Sequence, residues 1–173
     1  MPFQRAKKTY DENSLYDYAI ATLGRRMHSV AELKRKMRNR CADEELIDKV
    51  IARLKDQRYL GDTSYAAAYS AFRRDNEKFG RRRVTTDLKV KGVHADVIRK
   101  AVDEAYSGVN ELDQARAFLQ RKRLKKPSSN REAARIFRTL LRAGFGVAAS
   151  IQVLKSWEVD DEVLTALQEE AEG

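Results

Sequence analysis

A chain of 173 residues, 42% hydrophobic and 35% charged, is long enough to bury a core and too apolar to stay disordered, and its net charge of +9 directs attention to anionic partners. A single cysteine, Cys41, excludes an intramolecular disulfide framework and cannot build a zinc site alone. Two prolines and eight glycines leave long uninterrupted stretches that favour helix, and there is neither an apolar run long enough to span a bilayer nor an apolar signal-peptide core, so an all-α cytoplasmic protein is expected.

Residues 1–13 read as a flexible start. "SLYDYAIATLGRRM" is amphipathic and ends on Arg25 and Arg26. Ser29 and Glu32 form an S-x-x-E capping box, which satisfies orphan backbone donors at the start of a helix carrying Lys34, Arg35 and Lys36. Leu33 and Met37, then Leu46, Ile47, Val50, Ile51 and Leu54, give two helical runs broken around Asn39 to Asp43.

"TSYAAAYSAFRRDNEKF" forms the next helix, capped by Asp62 or Thr63, with Arg73 and Arg74 near its end. In "FGRRRVTTDLKVKG" a turn at Phe79-Gly80 leads into a helix whose Val84 and Leu88 lie four apart, with Lys89 and Lys91 near its end and Gly92 as the left-handed residue that stops it. Its start carries Arg81, Arg82 and Arg83, where the helix dipole disfavours cations. "NELDQARAFLQRKRL", capped by Asn110, leads into the basic run Arg121, Lys122, Arg123, Lys125 and Lys126. A second box, Ser129 with Glu132, opens a helix bearing Arg131, Arg135 and Arg138 that stops at Gly144. Beyond Trp157, Val159, Val163, Leu164 and Leu167 predict one last short helix in an acidic segment.

These elements are copies of one unit. A shift of about fifty residues superposes Leu33, Met37, Ile47 and Val50 on Val84, Leu88, Ile98 and Ala101, and a further shift carries Val84, Leu88 and Gly92 onto Ile136, Leu140 and Gly144. Basic and acidic blocks alternate with the same period. The organisation expected is therefore a flexible start at 1–13, three-helix repeats at 14–60, 61–107 and 108–157, and an acidic helix or tail at 158–173. Short turns make helices cross steeply, as in helix-turn-helix folds.

The runs "RRMHSVAELKRKM", "LKDQRYLGDTSYA" and "FGRRRVTTDLKVKGV" resemble the RecX family, regulators of the bacterial recombinase RecA. The most specific parts are Arg26, Ser29, Glu32 and Leu33, the Tyr59–Asp62 segment, and the Phe79 to Gly92 spacing, and the resemblance extends over about residues 15 to 156. It departs at Cys41, where the first copy usually has glycine, and at Gly61. The resemblance implies three tandem three-helix repeats in an elongated, curved molecule. It also implies binding in the groove of a RecA–DNA filament, with suppression of its ATPase, recombinase and coprotease activities and hence modulation of DNA repair and the SOS response.

The basic residues named above are then the expected contacts to phosphates of single- or double-stranded DNA, or to the recombinase, because arginine forks match phosphate oxygens. The third helices of the first two copies, acidic or mixed, are ill suited to reading base edges. No catalytic, cofactor or metal site is expected: there is no phosphate-binding glycine loop, His28 and His94 read as turn or capping residues, and Cys41 has no base beside it. Tyr16, Tyr18, Tyr65, Tyr69 and Phe72 read as core, and Tyr59 as packing between copies. A monomer is expected, and a stand-alone helix-turn-helix-like transcriptional regulator is the alternative reading.

Overall fold

The computed structural model describes residues 9–173; residues 1–8 of the expected flexible start lie outside the described residues. The described residues form ten α-helices and no strand: α1 (Glu12–Arg25), α2 (Val30–Arg38), α3 (Glu44–Asp56), α4 (Asp62–Asp75), α5 (Arg81–Val90), α6 (Ala95–Ala105), α7 (Glu111–Arg121), α8 (Asn130–Arg142), α9 (Val147–Ser156) and α10 (Asp161–Glu172). Three successive helix triplets precede α10.

The chain divides into two compact units. The first holds the described residues up to Ala66 together with Leu88–Ile98, and the second holds Ala67–Asp87 with Arg99–Gly173. In the first, Leu15 and Ala19 of α1, Leu33 and Met37 of α2, and Ile47, Val50 and Leu54 of α3 form one fully buried cluster. The helical spacing read from the sequence is thus the spacing of the core-facing side. Cys41, also buried, closes this cluster. In the second, Phe118 and Leu119 of α7, Ile136, Phe137 and Leu140 of α8, and Val153 and Leu154 of α9 surround Phe145. Leu164 and Leu167 of α10 enter the same cluster, so the predicted last helix is an integral layer of this unit.

The caps explain where the helices begin. Ser29 and Glu32 form the complete reciprocal box at α2, and Asn110 Oδ1 accepts from the Asp113 N–H at α7. His94 Nδ1 accepts from the Asp96 N–H at the start of α6, a capping role as expected. Two expected caps are used differently. Ser129 Oγ accepts from the Glu132 N–H, but the Glu132 carboxylate turns back to the N–H and hydroxyl of Ser128 at 2.8 Å, one residue earlier than a capping box requires. Asp62 is the first residue of α4, yet its carboxylate accepts from the N–H of Val30, capping α2 instead.

The core assignments hold for Tyr65 and fail for Phe72, which is 55% exposed and belongs to neither apolar cluster. Tyr59, expected to pack between copies, is 61% exposed.

Candidate nucleic-acid interface

The middle helices of the repeats are joined by a contact that occurs twice. At the end of α5, Gly92 has φ +75° and the N–H groups of Gly92 and Val93 return to the carbonyls of Lys89 and Leu88. At the end of α8, Gly144 has φ +94° and the N–H groups of Gly144 and Phe145 return to Leu141 and Leu140. Each end meets the start of the middle helix one repeat earlier. In the first unit the Ser29 hydroxyl donates to the Lys91 carbonyl at 2.6 Å, and a Cβ on Gly92 would lie 2.6 Å from that of Ala31. In the second unit the Gly80 N–H donates to the Ala143 carbonyl at 2.8 Å and the Arg82 N–H to the Gly144 carbonyl at 3.2 Å. Ser29 and Gly80 are equivalent in the repeat, as are Lys91 and Ala143.

This joint accounts for the departure at Cys41. The equivalent residues Gly92 and Gly144 are needed because another helix start lies against them. Among the described residues no earlier repeat meets the end of α2, so the left-handed turn is not required and Cys41 lies in the core instead.

The joint also accounts for three arginines at a helix start. The first N–H groups of α5 face the carbonyl end of α8, whose partial negative charge offsets the partial positive charge of α5. Arg81 is ion-paired with Asp103, and Arg83 Nε donates to Asp87 at 2.9 Å, so two of the three have carboxylates of the protein as their anions. Asp87 also accepts from the Tyr69 hydroxyl, with Arg73 beside it. Arg82, exposed, makes no side-chain hydrogen bond or ion pair with any described residue.

The remaining predicted cations divide in the same way. Lys91 Nζ lies 3.0 Å from Glu32, a nearly buried carboxylate that also accepts from the Ser29 N–H and the Tyr65 hydroxyl. Burial pushes the Glu32 carboxyl up, but the Ser29 N–H and Lys91 outweigh it and hold the group below the usual carboxylate range. Lys91 is thus a structural cation, and Arg26 stands 3.8 Å from the same carboxylate. Lys34 pairs with Asp48. Arg73 lies over the Tyr69 and Phe79 rings, and Arg74 donates to Asp75 and the Ala105 carbonyl. Arg121 pairs with Glu77, Lys126 with Glu158 and Arg138 with Glu170, and Lys122 rests on the Phe118 ring.

No such partner among the described residues engages Arg25, Arg35 and Lys36 in the first triplet, Arg82 and Lys89 in the second, or Arg123, Lys125, Arg131 and Arg135 in the third. Of the predicted cations, these are the ones available to an outside anion. On α8 the exposed row Arg131, Arg135 and Arg138 continues to Arg142, which sequence reasoning passed over although it stands four residues beyond Arg138. His28, in the turn before α2, is buried, with Nδ1 2.8 Å from the Arg26 carbonyl and Nε2 without a partner among the described residues. Burial pushes its pKa down, favouring the neutral ring in this turn.

The fold is that of an all-helical protein of serial three-helix units, each triplet carrying exposed cations with no ion-pair partner among the described residues. Comparison with known proteins narrows this class. Residues 16–54 match a family model described as the first three-helix domain of RecX. A regulatory protein RecX of Leptothrix cholodnii is 35% identical over 142 residues, 82% of this chain and 88% of that protein. One of Chromobacterium violaceum is 30% identical over 148 residues, 86% and 93% of the two chains. The crystal structure of RecX from Lactobacillus salivarius has the same fold, with a TM-score of 0.69 over 85% of this chain and 96% of that one at 19% identity. The chain belongs to the RecX family, whose members are regulatory proteins and not enzymes.

Proposed function

We propose that this chain regulates the RecA recombinase in the cytoplasm by binding the RecA–DNA filament as a monomer and lowering its ATPase, recombinase and coprotease activities, and with them the DNA-repair and SOS responses. Family membership supports the partner. The observation that carries the mode of binding is the presence, in each of the three helix triplets, of exposed cations that form no ion pair with a described carboxylate. Phosphates of single- or double-stranded DNA are the anions such a surface takes without reading sequence, because contacts to phosphate fix position and carry no base information.

Anisotropy titration of labelled oligonucleotides tests this mode against a stand-alone operator-binding regulator. The chain should bind naked DNA weakly and equally for unrelated sequences, with affinity falling as salt rises by roughly 0.7 to 0.9 log units per log unit of salt for each phosphate contacted. It should bind RecA-coated DNA more tightly. Tight binding to one duplex sequence at moderate salt, unimproved by RecA, would overturn the proposal.

A further inference from the structure

The second unit places an acidic helix beside a basic one. On α8, Arg131, Arg135, Arg138 and Arg142 are spaced four, three and four apart, so they fall within about 60° of one another around the helix axis. They lie opposite the buried Ala133, Ile136, Phe137 and Leu140. The sequence of α10, "DEVLTALQEEAE", has five carboxylates and no lysine or arginine. Leu164 and Leu167 fix α10 in the core that α8 also lines, so its acidic side chains have a set position.

At that position Glu170 accepts from Nε and Nη2 of Arg138 at 3.0–3.2 Å. Just before α10, Glu158 accepts from Lys126 at 2.7 Å. A guanidinium offering two donors to two carboxylate oxygens has the geometry in which it takes a phosphate. Both partners are open to solvent, with side chains 54% and 57% exposed, so the pair adds little to stability and can exchange. Holding the unit together therefore does not explain it, because the leucines do that.

We propose that α10 is a built-in competitor for nucleic acid. Glu170 occupies Arg138, with Glu158 on Lys126, as a phosphodiester chain would, leaving Arg131 and Arg135 as the open part of the row. Binding of DNA to this row requires the carboxylates to be displaced, which weakens the chain's hold on naked DNA and reserves the full row for a partner that can exchange them. This inference rests on the reading that these cations contact phosphate.

The test uses the full chain and a labelled single-stranded oligonucleotide at low salt, comparing wild type with Glu170→Gln, Glu169→Gln, Arg138→Ala and the double variant Arg138→Ala/Glu170→Gln. Glu169 is the neighbouring exposed carboxylate without a side-chain partner among the described residues, so its replacement removes the same charge without freeing an arginine. Glu170→Gln should bind roughly two- to fivefold tighter than wild type, the equilibrium equivalent of an exposed ion pair. Glu169→Gln should gain clearly less, and on the Arg138→Ala background Glu170→Gln should gain no more than Glu169→Gln. If wild type binds the oligonucleotide and Glu170→Gln is no tighter than Glu169→Gln, the competitor idea is wrong. If no variant binds in a salt-dependent way, the phosphate reading itself fails and the inference falls with it.

Discussion

Replacing Gly144 by alanine should damage the joint between α5 and α8 more than any other glycine-to-alanine change at a left-handed position of the second unit. With φ +94°, an alanine there meets the left-handed penalty of roughly 1–2 kcal/mol. Its Cβ would lie 2.3 Å from the Arg83 backbone nitrogen, 2.6 Å from the Arg83 Cβ and 2.7 Å from the Gly80 carbonyl oxygen, none of which can rotate away. The helix ends must separate, weakening the Gly80-to-Ala143 and Arg82-to-Gly144 hydrogen bonds, each worth roughly 1 kcal/mol. The total is roughly 3–4 kcal/mol. Gly108 supplies the control, because it has φ +72° and an added Cβ would meet nothing within 4 Å, so Gly108→Ala meets the backbone penalty alone. Thermal unfolding followed by far-UV circular dichroism should place Gly144→Ala roughly 4–8 °C below Gly108→Ala, at about 2–4 °C per kcal/mol for a chain of this size. Equal melting of the two variants would refute the account of the joint.

Three further outcomes follow from the same geometry. Glu32→Gln should destabilise the first unit by about 2 kcal/mol, because Lys91 and the Tyr65 hydroxyl lose a charged acceptor. Since the folded Glu32 carboxyl sits below its unfolded value, its contribution is complete above that value and is lost as pH falls through the folded one; urea midpoints between pH 6 and pH 3 should fall less steeply for Glu32→Gln than for wild type. Arg82→Ala should leave melting unchanged and reduce the salt slope of DNA binding by roughly 0.7–0.9, whereas Arg83→Ala, which removes one of the partners of Asp87, should affect melting more than the slope. Arg58 holds φ +60° at the end of α3, so Arg58→Gly should raise stability by about 0.5–1 kcal/mol in urea titration, and a loss instead would show that its side chain contributes contacts the backbone strain does not reveal.

The repeat and its core were legible because burial copies the helical period: Leu33, Val84 and Ile136 are equivalent in sequence and all lie in the interior. Helix ends marked by glycine were legible too, at Gly92 and Gly144. Those at Arg58, Arg123 and Glu158 were not, because a non-glycine residue in the left-handed region carries no compositional sign. The box at Asp11 and Ser14 was hidden by its D-x-x-S form, and Asp62 misled because its nearest helix is not the one it caps. Charge blocks located the basic surface but could not separate Arg82 from Arg81 and Arg83, since their partners Asp103 and Asp87 are chosen by packing. The same limit concealed Lys91, a cation in the sequence and a tie between helices in the fold.

The most direct test of the account is ATP hydrolysis by RecA on single-stranded DNA, titrated with this chain from well below to equal the recombinase concentration. The account predicts a fall in rate while the chain is still substoichiometric to RecA, attenuated in a variant with Arg82, Arg131 and Arg135 replaced by alanine. An unchanged rate with the folded chain at equimolar concentration would contradict it.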